Sequence, residues 1–252
     1  DACVDVILKS EYTGREDDAG ARRRVVGAGG PPDKQREWLS HLAFRMHQGG
    51  QAGASLDASG VRAILAPVFV KRGELALLSP FLASVGHRGG LFEERGGRYQ
   101  FAHLTFQEFL AAQLLARRWP QQAPAFLGEV VQDEWWREAL LLTVGSLDAP
   151  APYEQRAEFI EALCTLDGAM DARLAAAELA ATGLGDLTDP EPTLTTLARE
   201  RLANLWQARD FSTAPPAVRA RAGNALARLG DDRDFDALVA VPAGSFWMGS
   251  DD

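Results

Sequence analysis

The chain has 252 residues, 46% of them hydrophobic and 24% charged, and sets 26 Lys plus Arg against 35 Asp plus Glu for a formal net charge of −9. That composition excludes wholesale disorder, and no stretch approaches the roughly 18 uninterrupted apolar residues that a membrane-spanning helix needs. Cys3 and Cys164 lie far apart with no paired Cys or His spacing near either, which excludes a disulfide framework or a zinc knuckle and fits a reducing, cytoplasmic setting.

Charge is segregated along the chain. Residues 1–100 carry 14 basic and 12 acidic side chains, residues 101–252 carry 12 and 23. The acidic half is expected to repel phosphate backbones, since nucleic-acid binding depends on clustered Lys and Arg displacing counterions.

The chain opens without Met or a basic, apolar leader, inside an apolar pattern at Val4, Val6, Ile7 and Leu8, which reads as the tail of a helix within a longer protein. Residues 13–32 are rich in Gly, Asp and Arg and lack apolar periodicity, so they are expected to form a loop, with Arg22-Arg23-Arg24 solvated and Gly27 to Gly30 as a hinge. After Pro31-Pro32, Asp33 is expected to cap a helix whose Trp38, Leu39, Leu42, Ala43 and Met46 recur at helical spacing and which closes at Gly49-Gly50. A second helix follows Asp57 and Ser59, with Val61, Ile64, Leu65 and Val68 on one stripe and Pro67 interrupting its last turn. Ser79-Pro80 predicts a short third helix through Val85, with proline in the first helical position. Leu91 to Glu94 and Arg98 to Ala102 are extended runs joined by Arg95-Gly96-Gly97, a hairpin.

Three small helices and a hairpin predict a winged helix over residues 33–112. From Leu104 the pattern is helical, through Phe106, Phe109, Leu110 and Leu114, until Trp119-Pro120. Helices are then predicted over 124–131, 134–144, 152–163, 169–181, 192–208 and 215–229, giving a HEAT-like helical solenoid to about residue 235. The expected fold is mainly α, a winged helix with a short β-hairpin followed by this helical region, with a linker over 1–32 and the start of a further domain over 236–252.

The familiar catalytic patterns are missing: there is no G-x-x-x-x-G-K-[ST] phosphate loop and no H-E-x-x-H helix, so no catalytic or metal-ligating residue is assigned. Of His41, His47, His87 and His103, only His103, where the second wing strand turns into a helix, has a setting that suggests a role, and a buried structural histidine explains that setting equally well. Gln107 and Glu108 are explained by a solvated helix face as well as by pairing across a domain junction, and Trp135-Trp136 by packing more readily than by partner recognition.

The run from Gly90 to Ala112, with Phe101-Ala102-His103-Leu104-Thr105-Phe106-Gln107-Glu108-Phe109-Leu110-Ala111-Ala112 at its centre, resembles the winged-helix end of NACHT-type signalling NTPases of the STAND class. The resemblance implies an upstream NACHT nucleotide-binding domain carrying the Walker elements, ADP or ATP with Mg²⁺ bound mainly by that domain, an ATPase parent protein, and a role for His103 as the contact to the ADP phosphate that holds the inactive state. Homo-oligomer formation on activation is a further implication. A second run, Leu238 to Asp252 with Val241-Pro242-Ala243-Gly244-Ser245-Phe246-Trp247-Met248-Gly249-Ser250, is similar to the start of formylglycine-generating-enzyme-like domains of C-type-lectin fold.

Together they suggest the coupling segment of a nucleotide switch in bacterial signalling or defence, relaying ligand binding from a lectin-like sensor domain, with neither membrane nor nucleic acid as partner. The competing readings are a winged-helix DNA-binding regulator and the scaffold of a formylglycine-generating oxidase.

Overall fold

The computed structural model describes residue 4 and residues 31–86, 91–119, 124–147, 153–231, 238 and 240–245. The expected N-terminal loop with its Arg22–Arg24 run and glycine hinge, His87, and most of the expected C-terminal domain start lie outside the described residues. Ten α-helices and a three-stranded antiparallel sheet are present among those described. None of these helices is long and apolar enough to cross a membrane.

The first helix, α1 (Pro32–Gln48), begins on Pro31 as N-cap without a side-chain cap. Asp33, expected to be the cap, instead lies inside the first turn, where its charge favours the positive end of the helix dipole. Proline in this first turn costs nothing, because the N–H it lacks has no helical partner. α1 is apolar on several sides. On one, Trp38 stacks on Phe69 with centroids 4.3 Å apart and meets Phe81 edge-on at 5.2 Å. On another, Phe44 meets Trp136 at 5.6 Å and Phe126 at 5.8 Å. Full burial of such a ring contributes about 1.5–3 kcal/mol, and α1 is thereby the spine shared by the two halves of the chain.

A turn of 3₁₀ helix (Gly50–Ala54) leads into β1 (Ser55–Asp57), a strand the sequence did not reveal because three residues are too short to show alternation. Asp57 caps α2 (Ala58–Lys71), accepting from the Gly60 N–H at 2.7 Å. Pro67 does not end α2, which continues one turn past it. The bond it forfeits would go to the carbonyl of Ala63, an exposed residue where water can replace it. α3 (Leu78–Gly86) starts at Leu78, so Pro80 is its third residue and not its first.

β2 (Phe92–Arg95) and β3 (Arg98–Phe101) form the hairpin, with Gly96 and Gly97 at φ +61° and +80° in the turn, and β1 adds to β3 in the order β1-β3-β2. Arg98 Nε donates to Ser55 Oγ at 2.7 Å, tying wing to first strand. α4 (Leu104–Arg118) runs straight through the expected boundary at residue 112 and packs along α1.

The helices that follow are α5 (Pro124–Val130), α6 (Glu134–Ser146), α7 (Tyr153–Thr165), α8 (Met170–Gly185), α9 (Pro192–Trp206) and α10 (Pro216–Leu229), close to their predicted bounds. The alanine-rich α8 is buried along nearly its whole length and touches α6, α7, α9 and α10. Small side chains let the neighbours approach closely, and at Gly183 a Cβ would lie 2.8 Å from Val144 Cγ2.

Arginines fasten the periphery. Arg137 donates to both carboxylate oxygens of Glu178, whose Oε1 also accepts from Thr182 at 2.7 Å. Arg156 pairs with Glu191, Arg173 with Asp210 and Arg221 with Glu134. The described part of the C-terminal run, residues 238 and 240–245, carries no strand, and Leu238 and Val241 are exposed.

Candidate functional site at the wing-to-helix junction

The chain leaves β3 at Phe101, and the Ala102 N–H donates to the Leu91 carbonyl at 3.0 Å, closing the hairpin. His103 is the next residue, extended at φ −138° and ψ 145°, and serves as N-cap of α4. Its carbonyl accepts from the Phe106 N–H at 3.1 Å, while its side chain makes no capping bond. The imidazole is exposed and leans on Phe106, centroid to centroid 5.7 Å. Leu104 and Thr105 beside it are exposed too.

A helix start of this kind offers backbone N–H groups and the positive end of a 15-residue dipole, both suited to an anion. An imidazole that makes no hydrogen bond among the described residues adds a donor at the same edge. These groups fit one phosphate oxygen contact, not a whole nucleotide.

Phe106 and Phe109 are half-buried and pack beside the buried Leu110, as expected of a core-facing stripe. Gln107 departs from the solvated-face reading. It is buried and faces His47, Nε2 to Nδ1 at 3.4 Å. His47 is wholly buried between α1, α4 and α6. Its Nε2 lies 2.9 Å from the Trp135 carbonyl, and the Trp135 Nε1–H donates to the His47 carbonyl at 2.9 Å.

Since a carbonyl only accepts, Nε2 carries the proton and Nδ1 is left to accept from Gln107. The ring stacks on Trp135 at 5.0 Å and meets Trp136 edge-on at 4.5 Å. Burial holds its pKa down at about 4, against the opposing pull of the Trp135 bond and Asp133. The two tryptophans are therefore internal packing groups. His47 was legible only as a polar residue on the apolar face of α1 that Ser40 and Ala43 share, a weak signal.

His41 lies elsewhere on α1, with Arg118 Nη2 at 3.1 Å from its Nδ1. Burial, then the charges of Arg118, Arg117, Arg72 and Arg45, push its pKa down to about 4, so it is neutral at pH 7 and accepts from Arg118. Glu108 has its carboxyl pKa raised by burial and by Glu138. Cys164 is buried and its thiol pushed up to about 12, leaving it protonated and unreactive. α3, which in a DNA-reading winged helix enters the major groove, contains no Lys or Arg in its sequence LSPFLASVG, so the chemistry for gripping phosphates there is missing.

Comparison with protein families bears on the same region. Residues 1–115 match the model of the winged helix-turn-helix domain C-terminal to NACHT. No curated protein and no solved structure matches the chain. The match spans α1 to α3, the sheet and most of α4, and its end within α4 agrees with a helix that belongs to both halves. The N-terminal part of this chain is thus similar to the winged-helix domains that follow NACHT, and among the described residues the part that continues it to α10 is helical.

Proposed function

We propose that this chain is the regulatory and coupling segment of a NACHT-type nucleotide switch, in which His103 contacts the phosphate of a nucleotide held mainly by an upstream NACHT domain and so keeps the two domains closed. When bound, the nucleotide with its Mg²⁺ supplies the diphosphate charge. The chain's own residues do the rest. β3 and α4 fix the backbone on either side of His103, Phe106 supports the ring, and the first N–H groups of α4 add positive potential. The observation that carries this reading is the exposed imidazole at a helix start, with no capping bond to hold it back.

In this scheme the helical region is the lever. α4 passes without a break from the phosphate contact into the seam where Gln107 and His47 meet α6, so a displacement of the helical region is transmitted to His103 along one rigid element. A lectin-like sensor domain beyond residue 236 would supply the displacement, a role that rests on the similarity of residues 238–252 to formylglycine-generating-enzyme-like domains. Weakening the contact shifts the population toward an open state able to assemble.

The test is His103→Ala in the protein that joins this chain to its nucleotide-binding domain. Co-purified ADP is expected to fall and basal oligomer to rise. Unchanged ADP content and unchanged oligomer would contradict the reading.

A further inference from the structure

On one face of the winged-helix domain, α1, the C-terminal end of α2 and the C-terminal end of α4 bring together His41, Arg45, Arg72, Arg117 and Arg118. Arg45 and Arg117 are exposed and Arg118 half-exposed. Burial, and after it the charges of Arg36, Arg118 and Arg72, disfavours the charged form of Arg117, as burial and then Arg45 disfavour that of Arg118, so the guanidiniums lie close enough to act on one another. Glu37 is the carboxylate that acts on Arg117, and it is already bound to Arg72. The array is held in place, with Arg118 on His41 and Arg45 on Gln48 at 3.0 Å.

In the helical region the imbalance has the opposite sign. Arg137, Arg156, Arg173 and Arg221 are spent on Glu178, Glu191, Asp210 and Glu134. On α7, Glu154, Glu158 and Glu161 are all exposed, and no ion pair reaches them among the described residues. Their spacing of four and three sets them on one stripe of the helix, about 10 Å long at 1.5 Å per residue. Arg45 on α1, with Arg117 and Arg118 beside it on α4, presents the cationic counterpart, and the neutral His41 accepts from Arg118.

We infer that the cationic face formed by α1 and α4 of one copy docks on the α7 glutamate stripe of a second copy, in a head-to-tail contact. Charge complementarity singles out this occupant. Guanidinium matches carboxylate in bidentate geometry, the device this fold already uses at Arg137–Glu178. A nucleic acid fits the same cations less well, because the chain's net charge of −9 repels a polyphosphate outside the local patch. The two surfaces are different, so the contact is heterologous and leaves each copy with one face open for the next. It concerns the chain alone and does not rest on the phosphate contact at His103.

The test is sedimentation equilibrium of the 252-residue chain at two ionic strengths. At about 0.02 M salt, where screening extends over tens of ångströms, weight-average mass is expected to rise at least about twofold above the monomer, and at about 1 M, where the Debye length is near 3 Å, to return to it. Arg117→Gln with Arg118→Gln removes one face, and Glu154→Gln, Glu158→Gln and Glu161→Gln together remove the other. Each variant is expected to be monomeric at low salt. An equimolar mixture of the two is expected to form a 1:1 dimer and stop there, since one competent face remains on each partner.

The α7 substitutions are all on exposed positions, so they report even if the arginine variant folds poorly. A chain that is monomeric at both ionic strengths overturns the inference. So does association of the α7 variant alone, a mixture that stays monomeric, or capture of duplex DNA by the arginines without self-association.

Discussion

His47 and Trp135, 88 residues apart, exchange hydrogen bonds: the imidazole Nε2–H donates to the tryptophan carbonyl, and the indole N–H donates to the histidine carbonyl, each at 2.9 Å. This reciprocal pair fastens α1 of the winged helix to the start of α6. His47→Ala removes a buried, doubly bonded ring and leaves the buried Gln107 amide without its acceptor, so a loss of about 2–4 kcal/mol is expected. Trp135→Phe deletes only the indole donor. Denaturant unfolding of both single variants and the double variant is expected to show coupling of about 1 kcal/mol, whereas strict additivity would mean that the two bonds act separately.

The same histidine sets a pH dependence. Its folded pKa, about 4, lies below the ordinary 6.5, so between those values the unfolded chain binds the proton that the folded chain excludes. The stability it contributes is complete above pH 6.5 and is lost as the pH falls toward 4, by up to about 3 kcal/mol. His41 titrates in the same direction, but it is only half-buried and adds less. Melting curves of the wild type and His47→Ala between pH 7.5 and 4.5 check this: the gap in stability should narrow on acidification.

Close packing of α8 against α6 gives a third expectation. A Cβ at Gly183 would meet Val144 Cγ2 at 2.8 Å and Cβ at 3.0 Å, and a β-branched buried side chain has no easy rotamer to escape into. Gly183→Ala is expected to destabilise by about 1–3 kcal/mol despite alanine's better helix propensity. Adding Val144→Ala should recover part of that loss, so that thermal unfolding finds the double variant more stable than the sum of the singles.

The buried Glu178 carboxylate is held by both Arg137 nitrogens and by Thr182. Glu178→Ala leaves the half-buried guanidinium unpaired, at a cost of about 3 kcal/mol. Glu178→Gln, which keeps the shape, should cost less, and equal losses in denaturant titrations would assign the effect to packing instead.

Much of this architecture is legible in the sequence. The helices after Pro120 are punctuated by Pro, Gly and Asp, local signals that fix ends to within a few residues, and the Gly96-Gly97 turn declares its hairpin. What escaped notice depends on distant partners. β1 is three residues long and exists because β3 offers it an edge. Asp33 looks like a cap, but Pro31 already sets the extended backbone that precedes the helix. Gln107 and His47 are 60 residues apart, and only the crossing of α1 and α4 turns two polar side chains on apolar faces into one buried seam. At His103 the sequence located the residue at a strand-to-helix junction but left buried and accessible placements open; the exposed ring follows from how Phe101 and Leu110 turn inward around it.

The central claim is that His103 holds a nucleotide phosphate presented by a neighbouring domain. It is tested most directly by the rate at which ADP leaves the protein that joins this chain to its nucleotide-binding domain, measured by displacement of a fluorescent ADP analogue for the wild type, His103→Ala and, as a control away from the helix start, His41→Ala. One lost hydrogen bond to a charged acceptor is worth about 1.5–3 kcal/mol, so His103→Ala is expected to release ADP at least about tenfold faster while His41→Ala does not. Equal release rates for the wild type and His103→Ala would contradict the account.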